Sequence, residues 1–214
     1  MKKKLLVPNL SKYSNEKKDL KKLFKKIDYN HIDKYAWEKP DEHRKVRFKM
    51  VHNNSNIYLI YDVVEPEMTA TYANHNDPIY KDSCVEFFIA FEEDTNYYNF
   101  EFNCLGSCLL EWGPDRHRRK LLDTHTIDLI KVETKIKRVT ENNVTLFHWK
   151  IFIKIPLETF KFNTLKSLKN INAKANFYKC GDNLSKPHYI TWNPIQADQP
   201  DFHLKSYFGD LKFK

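Results

Sequence analysis

The clearest periodicity in the chain lies in the sequence FHWKIFIKIP, residues 147–156. Its odd-numbered positions are apolar, and most of the even-numbered positions between them are polar. Successive side chains of a β-strand point to opposite faces of the sheet, so this period of two is typical of a strand with one buried face. Pro156 ends the run, because proline cannot donate a backbone hydrogen bond to a neighbouring strand. The segment therefore predicts a long β-strand.

Similar segments occur on both sides of it. The predicted strands lie at 46–50, 57–64, 84–91, 98–103, 107–112, 127–137, 171–180, 188–192 and 207–213. Helical periodicity between them is scarce, so the chain lacks the crossover helices of a parallel sheet. About ten strands with few helices are typical of an antiparallel sandwich. We therefore predict an all-β, immunoglobulin-like antiparallel β-sandwich over residues 30–214, formed as a single domain.

Residues 1–29 are predicted to form a basic N-terminal arm. Leu20, Phe24 and Ile27 recur at helical spacing among lysines, which predicts a short amphipathic helix within residues 14–27. We expect its apolar stripe to pack on the domain, with contact to a membrane surface or a polyanion as the alternative. The net charge of +8 belongs to this arm, since residues 1–26 hold ten lysines and two acidic residues. The rest is formally neutral, so no nucleic-acid partner is expected.

The apolar runs of the sequence are short. The longest, such as 57–61 and 87–91, fall far below the roughly 20 residues of a membrane helix, so no integral membrane segment is expected. The N-terminus begins like a signal peptide, but Pro8 and Asn9 interrupt the apolar stretch. As written, the chain is expected to be cytoplasmic, and a removed leader would make it periplasmic or secreted.

Several common catalytic motifs cannot be written for this chain. It has only four glycines, which excludes a Gly-rich phosphate loop, a dinucleotide fingerprint and a GxSxG elbow, and HExxH is also missing. Cys84, Cys104, Cys108 and Cys180 include no CxxC pair. Ordinary thiols are the main interpretation of these cysteines, and a disulfide or a metal site remains open.

Two glutamates lie inside predicted strands. Alternation places Glu86 among neighbours that look buried, where a carboxylate needs a partner: either a structural salt bridge or hydrogen bonds from ligand hydroxyls. Glu101 shares a strand face with Asn99 and Asn103, which is either a solvated outer face or a polar floor beneath a sugar. Together, Glu86 and Glu101 could also form the acid/base pair of a glycosidase.

Three segments, taken in order, resemble the family 9 carbohydrate-binding modules and their stand-alone relatives in the DOMON-like superfamily. They are DSCVEFFI (82–89), WKIFIKIP (149–156), and the stretch from NFY (176–178) through YITW (189–192) to FGDL (208–211). The resemblance covers most of residues 30–214. It implies a β-sandwich that binds saccharides without catalysis, in the context of carbohydrate catabolism, and that holds structural calcium in some members.

The resemblance also implies site residues. In the family a terminal sugar lies between two aromatic rings, and Tyr80 and Phe202 match those positions. The motif glutamate corresponds to Glu86, and Glu101 stands where the family has an arginine. Further polar positions fall at Tyr178 or Lys179 and at Gln199. His203, beside Phe202 in a loop-like segment, is expected to be accessible. For calcium, the acidic loop residues Asp198 and Asp201 are the candidates.

Other interpretations compete with sugar binding. A glycoside hydrolase would use the two glutamates, and an interaction domain would keep a degenerate sugar pocket. A haem-binding DOMON-like domain would need Met68 or Met50 with a histidine as axial ligands. The loop cluster of Arg116, Arg118 and Arg119 is expected to be solvated, or to contact an acidic sugar or phosphate.

Overall fold

The computed structural model describes residues 2–10, 17–141 and 143–214. In chain order the strands are β1 (Lys4–Val7), β2 (Asn30–His31), β3 (Lys34–Tyr35), β4 (Lys45–Asn53), β5 (Asn56–Glu65), β6 (Cys84–Phe91), β7 (Tyr97–Asn103), β8 (Cys108–Gly113), β9 (Lys120–Leu121), β10 (Lys131–Glu141), β11 (Val144–Pro156), β12 (Asn172–Cys180), β13 (Tyr189–Thr191) and β14 (Gly209–Phe213). The helices are α1 (Lys17–Lys26) and α2 (Thr124–Ile127), with single 3-10 turns at Ile79–Lys81, Leu157–Thr159 and Lys205–Tyr207.

The strands form two sheets packed face to face. One sheet has the order β1-β14-β12-β6-β7-β8-β9, with β13 pairing to β12 and to β3. The other has the order β10-β11-β5-β4-β2. Every pairing between these strands is antiparallel except that of β1 with β14. The predicted all-β sandwich is confirmed.

Alternation along the strands fills the space between the sheets. Phe87, Phe100 and Phe177, from three neighbouring strands, point into this core. From the opposite sheet, Trp149, Ile151, Ile153 and Ile155 of β11 belong to the same core. Phe48 of β4 stacks on Phe177 with ring centroids 3.8 Å apart, which joins the two sheets directly. Large aromatic side chains of this kind supply much of the apolar area that stabilises a β-sandwich.

The outer face of the larger sheet is also covered. The residues that alternate with the core positions include Phe88, Tyr97 and Tyr178, and they form a second apolar cluster. Segment 195–208 lies over them and contributes Phe202 and Phe208. Because this segment covers only part of the sheet, it leaves a depression beside it in which polar residues of the same face are enclosed.

The N-terminal residues are integrated into the sandwich. Strand β1 extends the larger sheet by pairing in parallel with β14, and Val7 is fully buried. The apolar run that begins like an export signal therefore forms an edge strand in the structure. Helix α1 packs Leu23 and Phe24 on the outer face of the smaller sheet. The start of the helix predicted from residue 14 falls outside the described residues. In the described ranges, no helix is long and apolar enough to cross a membrane.

Candidate functional site

A cavity of about 230 Å³ opens on the outer face of the larger sheet, beside segment 195–208. Four neighbouring strands, β12, β6, β7 and β8, provide its floor, and loops near residues 80, 116, 182 and 200 provide its walls. Its lining residues are Tyr80, Glu86, Glu101, Leu109, Glu111, Arg116, Arg119, Cys180, Asp182, Tyr189, Pro200, Asp201, Phe202 and His203.

Two carboxyl groups form the centre of the floor. Glu86 on β6 lies directly opposite Glu101 on β7 in the strand register, and the two side chains are only 3% and 4% exposed. Asn99 Nδ2 donates to Glu101 Oε1 at 2.8 Å, whereas Glu101 Oε2 is buried without a hydrogen-bond partner. Cys180 Sγ donates to Glu86 Oε1 at 2.9 Å. The face of Glu101 is therefore a buried polar floor rather than a solvated surface.

Burial favours the neutral form of both carboxyl groups. It raises the pKa of Glu86 well above its ordinary value, and the neighbouring Cys180 and Glu101 raise it further. It also raises the pKa of Glu101 to about 8, with Glu111 adding to the effect. Within the described residues, no cation forms a salt bridge with either carboxyl group, so Glu86 does not have the structural ion pair considered from the sequence.

The cysteines are four free, buried thiols. Ligand atoms of Cys84, Glu86 and Cys180 lie within 4.8 Å of one another, and among the described residues this is the group that could hold a metal ion. Burial raises the pKa of Cys84 to about 12, so the thiol is protonated in the metal-free protein. Two sulfur atoms do not suit calcium, which prefers six to eight oxygen ligands.

The residues considered for calcium and haem do not assemble the corresponding sites. Asp198 and Asp201 belong to no cluster of three metal-ligand side chains in the part of the chain that is described. Asp201 instead accepts a hydrogen bond from the backbone of His203 at 2.8 Å. Met50 lies in the sandwich core, and Met68 packs against it. These residues therefore do not fit either group.

The two predicted clamp aromatics differ in their exposure. Tyr80, in the 3-10 turn Ile79–Lys81, lines the cavity and is 36% exposed. Phe202 also lines the cavity, but it is only 8% exposed and stacks on Tyr178 with centroids 4.1 Å apart. Phe202 is therefore not an exposed loop aromatic, because Tyr178 on the sheet below gives its ring a packing surface.

His203 and Arg119 form a hydrogen-bonded corner of the cavity. His203 Nδ1 lies 2.9 Å from the Tyr97 hydroxyl and 3.3 Å from Arg119, whose Nε also donates to Glu111 at 2.8 Å. Burial lowers the pKa of His203 to about 3, and Arg119 lowers it further, so the ring is neutral. The accessible histidine expected from the sequence is thus half-buried, and its Nδ1 is engaged with Tyr97 and Arg119.

A tight turn carries the arginines to the cavity. A Cβ atom on Gly113 would lie 2.3 Å from the Arg118 carbonyl oxygen, so only glycine permits the loop to fold back this closely. As a result Arg116 and Arg119 line the cavity, while Arg118 pairs with Asp115 in solvent. The arginine cluster, which was expected to be solvated, is therefore divided: Arg116 and Arg119 line the cavity, and Arg118 lies on the surface.

Three predicted site residues lie outside the cavity lining. Lys179 points to the opposite face of the sheet, where its Nζ forms a fully buried ion pair with Glu65 at 2.9 Å. The strand period of two places it on the core face with Phe177 rather than with Tyr178. Tyr178 supports Phe202 from behind and donates to its carbonyl oxygen at 3.0 Å. Gln199 is exposed and does not reach the cavity.

Sequence reasoning missed three polar lining residues. Asp182 lies two residues after the end of β12, and it lines the cavity together with Tyr189 of β13. Glu111 lies on β8, where it pairs with Arg119. The alternation along β8 could have placed Glu111 on the outer face together with Leu109. Asp182 and Tyr189 are brought to the cavity by a loop that has no local sequence signal.

A second cavity of about 460 Å³ lies between α1 and the outer face of the smaller sheet. Its lining combines apolar residues such as Phe24 and Phe152 with several lysines. None of the sequence-predicted site residues lies there. The candidate site is therefore the cavity of about 230 Å³ on the larger sheet.

Comparison with known proteins gives a consistent family. Residues 16–213 match carbohydrate-binding family 9. A crystal structure from Bacteroides uniformis ATCC 8492, described as a candidate carbohydrate-binding protein, is 30% identical, with both chains covered completely and a TM-score of 0.88. No curated protein gave a significant match.

Two structures of a family 9 module from Caldicellulosiruptor kristjanssonii share the fold. The glucose complex is 14% identical, covers 99% of this chain and 96% of the module, and has a TM-score of 0.63. The cellotriose complex is 13% identical, covers 99% and 94%, and has a TM-score of 0.64.

Proposed function

The chain belongs to carbohydrate-binding family 9, and from this premise we propose that it binds a saccharide in the cavity on its larger sheet without converting it chemically. One observation carries this proposal: the same cavity holds an exposed aromatic ring, Tyr80, and a floor of two carboxyl groups with hydrogen-bonding capacity. Sugars offer apolar ring faces and a rim of hydroxyl groups, so this combination suits them.

The polar groups of the cavity can both donate hydrogen bonds to sugar hydroxyls and accept hydrogen bonds from them. A neutral carboxyl group donates one hydrogen bond and also accepts, as a sugar hydroxyl does. Burial favours the neutral form of Glu86 and Glu101, and the unpartnered Oε2 of Glu101 is an acceptor that a ligand hydroxyl would satisfy. A buried polar atom without a partner costs free energy, so a bound hydroxyl at this point would stabilise the complex.

The size of the cavity favours a single sugar unit. Sites for drug-sized ligands measure roughly 300–1,000 Å³, and this cavity measures about 230 Å³. We therefore expect the end of a saccharide to enter, with further units projecting past Tyr80. Glucose and cellotriose, which are bound in the two Caldicellulosiruptor modules, are the first ligands to test.

The electrostatics of the carboxyl pair support binding rather than hydrolysis. A glycosidase needs one protonated carboxyl group and one ionised carboxylate, with environments that separate their pKa values. Here burial raises the pKa values of both Glu86 and Glu101 instead of separating them, which disfavours the ionised base or nucleophile that a glycosidase needs.

Isothermal titration calorimetry of the intact chain with glucose and cellotriose tests this proposal, together with product analysis after long incubation. We expect saturable binding at a single site and unchanged sugar. Release of glucose from cellotriose would support the hydrolase instead. Absence of binding to these sugars and across a glycan array would support an interaction domain with a degenerate pocket.

A further inference from the structure

The cavity floor contains more acidic groups than neutral sugars require. Five carboxyl groups line the cavity against two guanidinium groups, and the guanidinium of Arg119 is paired with Glu111. In the described chain, Glu86, Glu101 and Asp182 form no salt bridge with a lysine, arginine or histidine. Arg116, which is exposed, is the other cation of the lining and acts on Asp182 from the rim.

The register of the carboxyl pair disfavours ionisation of both groups at once. Acidic residues directly opposite each other on neighbouring strands repel when ionised, and Glu86 and Glu101 have this register. Asp182 lines the same cavity as both glutamates. Glu101 lines the cavity, and its Oε2 is buried without a hydrogen-bond partner. Such a group is satisfied best by a charged donor, since charge-assisted hydrogen bonds are roughly twice as strong as neutral ones.

We propose that the sugar held in this cavity is an amino sugar, whose primary ammonium group is bound between Glu101, Glu86 and Asp182. This inference rests on the proposed function, because it names the sugar class that the same cavity takes. An ammonium group has three donors and no acceptor, and its positive charge would stabilise the ionised form of the strand-paired carboxyl groups. An N-acetylated amine lacks the charge and gains bulk, so it would lose this interaction.

Protonation accompanies this recognition. In the free protein, burial keeps the pKa of Glu101 at about 8, so an ammonium group would have to displace a proton from the pair when it binds. Neutral sugars, by contrast, would bind the protonated form. The free-energy cost of ionising the carboxyl pair therefore reduces the preference for the amino sugar. We expect its dissociation constant to be about tenfold lower than that of glucose, and not lower still.

The test is calorimetry of the full chain with glucosamine, glucose and N-acetylglucosamine at about pH 7, where a sugar amine is largely protonated. We expect glucosamine to bind about tenfold more tightly than glucose and N-acetylglucosamine, which carry no charge. Glucose bound as tightly as glucosamine would overturn the inference and leave sugar binding intact. If none of the three sugars, nor cellotriose, is bound, the proposed function itself fails, and the inference fails with it.

Variants locate the ammonium group. Glu101→Gln keeps the shape and the Asn99 contact but cannot ionise, so in this variant the dissociation constants for glucose and glucosamine should become about equal. Asp182→Asn, on a separate loop, should reduce the preference for glucosamine. Glu158→Gln removes an exposed charge outside the cavity and should change neither affinity. A preference for glucosamine that persists in both cavity variants would contradict the assignment of these carboxyl groups.

Discussion

Phe202 stacks on Tyr178 with ring centroids 4.1 Å apart and ring planes only 9° apart, and the Tyr178 hydroxyl donates to the Phe202 carbonyl oxygen at 3.0 Å. The pair fixes segment 195–208 on the outer face of the larger sheet. Phe202 is therefore both a wall of the cavity and a packing residue of the fold.

Phe202→Ala should lower the stability of the protein clearly. Truncation of a buried phenylalanine typically costs about 3–5 kcal/mol, because apolar burial is lost and a cavity remains. Urea denaturation measures this change. Phe162→Ala is a matched control: Phe162 is 43% exposed and stacks on Trp112 outside the cavity, so its loss should cost less. Weakened sugar binding with full stability in Phe202→Ala would show that the stacking on Tyr178 is unimportant.

Tyr80→Ala should have the opposite profile. Tyr80 is 36% exposed, so its truncation removes less buried area from the fold than truncation of Phe202. Covering an aromatic ring with a sugar face buries apolar surface worth roughly 1.5–3 kcal/mol, and affinity should fall by about tenfold or more. Calorimetry beside thermal melts separates the two quantities. Unchanged affinity would remove Tyr80 from the site.

Much of the fold could be predicted from alternation alone. The segment 147–156 became the centre of β11, and the doubly apolar runs 57–64 and 84–91 became β5 and β6. Strand β1 could not be predicted in this way, because four residues hold too little periodicity and depend on pairing with β14 at the other end of the chain.

The candidate site was less accessible to sequence reasoning. Glu86 and Glu101 follow from strand phase, since both occupy the face opposite the core residues. The prediction that Lys179 lies in the binding site was wrong. Phe177 is a core residue two positions earlier in the same strand, so alternation places Lys179 on the core face. Asp182 and Tyr189 reach the cavity through long-range folding of a loop, and no local pattern encodes such a placement.

Lys179→Ala should destabilise the fold without changing sugar preference. The lysine is fully buried and paired with Glu65, and removal of one partner of a buried ion pair costs about 3–5 kcal/mol because the other charge loses its compensation. Denaturation curves and calorimetry measure the two effects. Lys174→Ala, which breaks the exposed pair with Asp210, should cause a much smaller loss. A changed sugar preference with intact stability would return Lys179 to the binding site.

Stability should depend on the ionisation of Glu101. Its pKa is raised from the ordinary value of 4.5 to about 8 in the folded protein, so the fold favours the neutral form. This contribution is complete at low pH and is lost progressively as pH rises from about 4.5 towards 8. His203 acts in the opposite direction, since its lowered pKa reduces stability as pH falls below about 6.5.

Comparison of the wild type with the Glu101→Gln variant isolates the contribution of Glu101 to the pH dependence of stability. Melting temperatures of the wild type and Glu101→Gln, measured between about pH 5 and pH 8, share the histidine contribution. The wild type should become less stable relative to the variant as pH increases. A difference that stays constant over this range would mean that Glu101 titrates near its ordinary value and is not enclosed in the floor.

The location of the bound sugar tests the central claim most directly. We expect titration of the isotopically labelled chain with glucose, cellotriose or glucosamine, followed by amide NMR, to shift signals around Tyr80, Glu101 and Tyr189 together, with saturation at one stoichiometric equivalent. Shifts confined to the second cavity, near Phe24 and Phe152, or spread over the surface without saturation, would contradict sugar binding on the larger sheet.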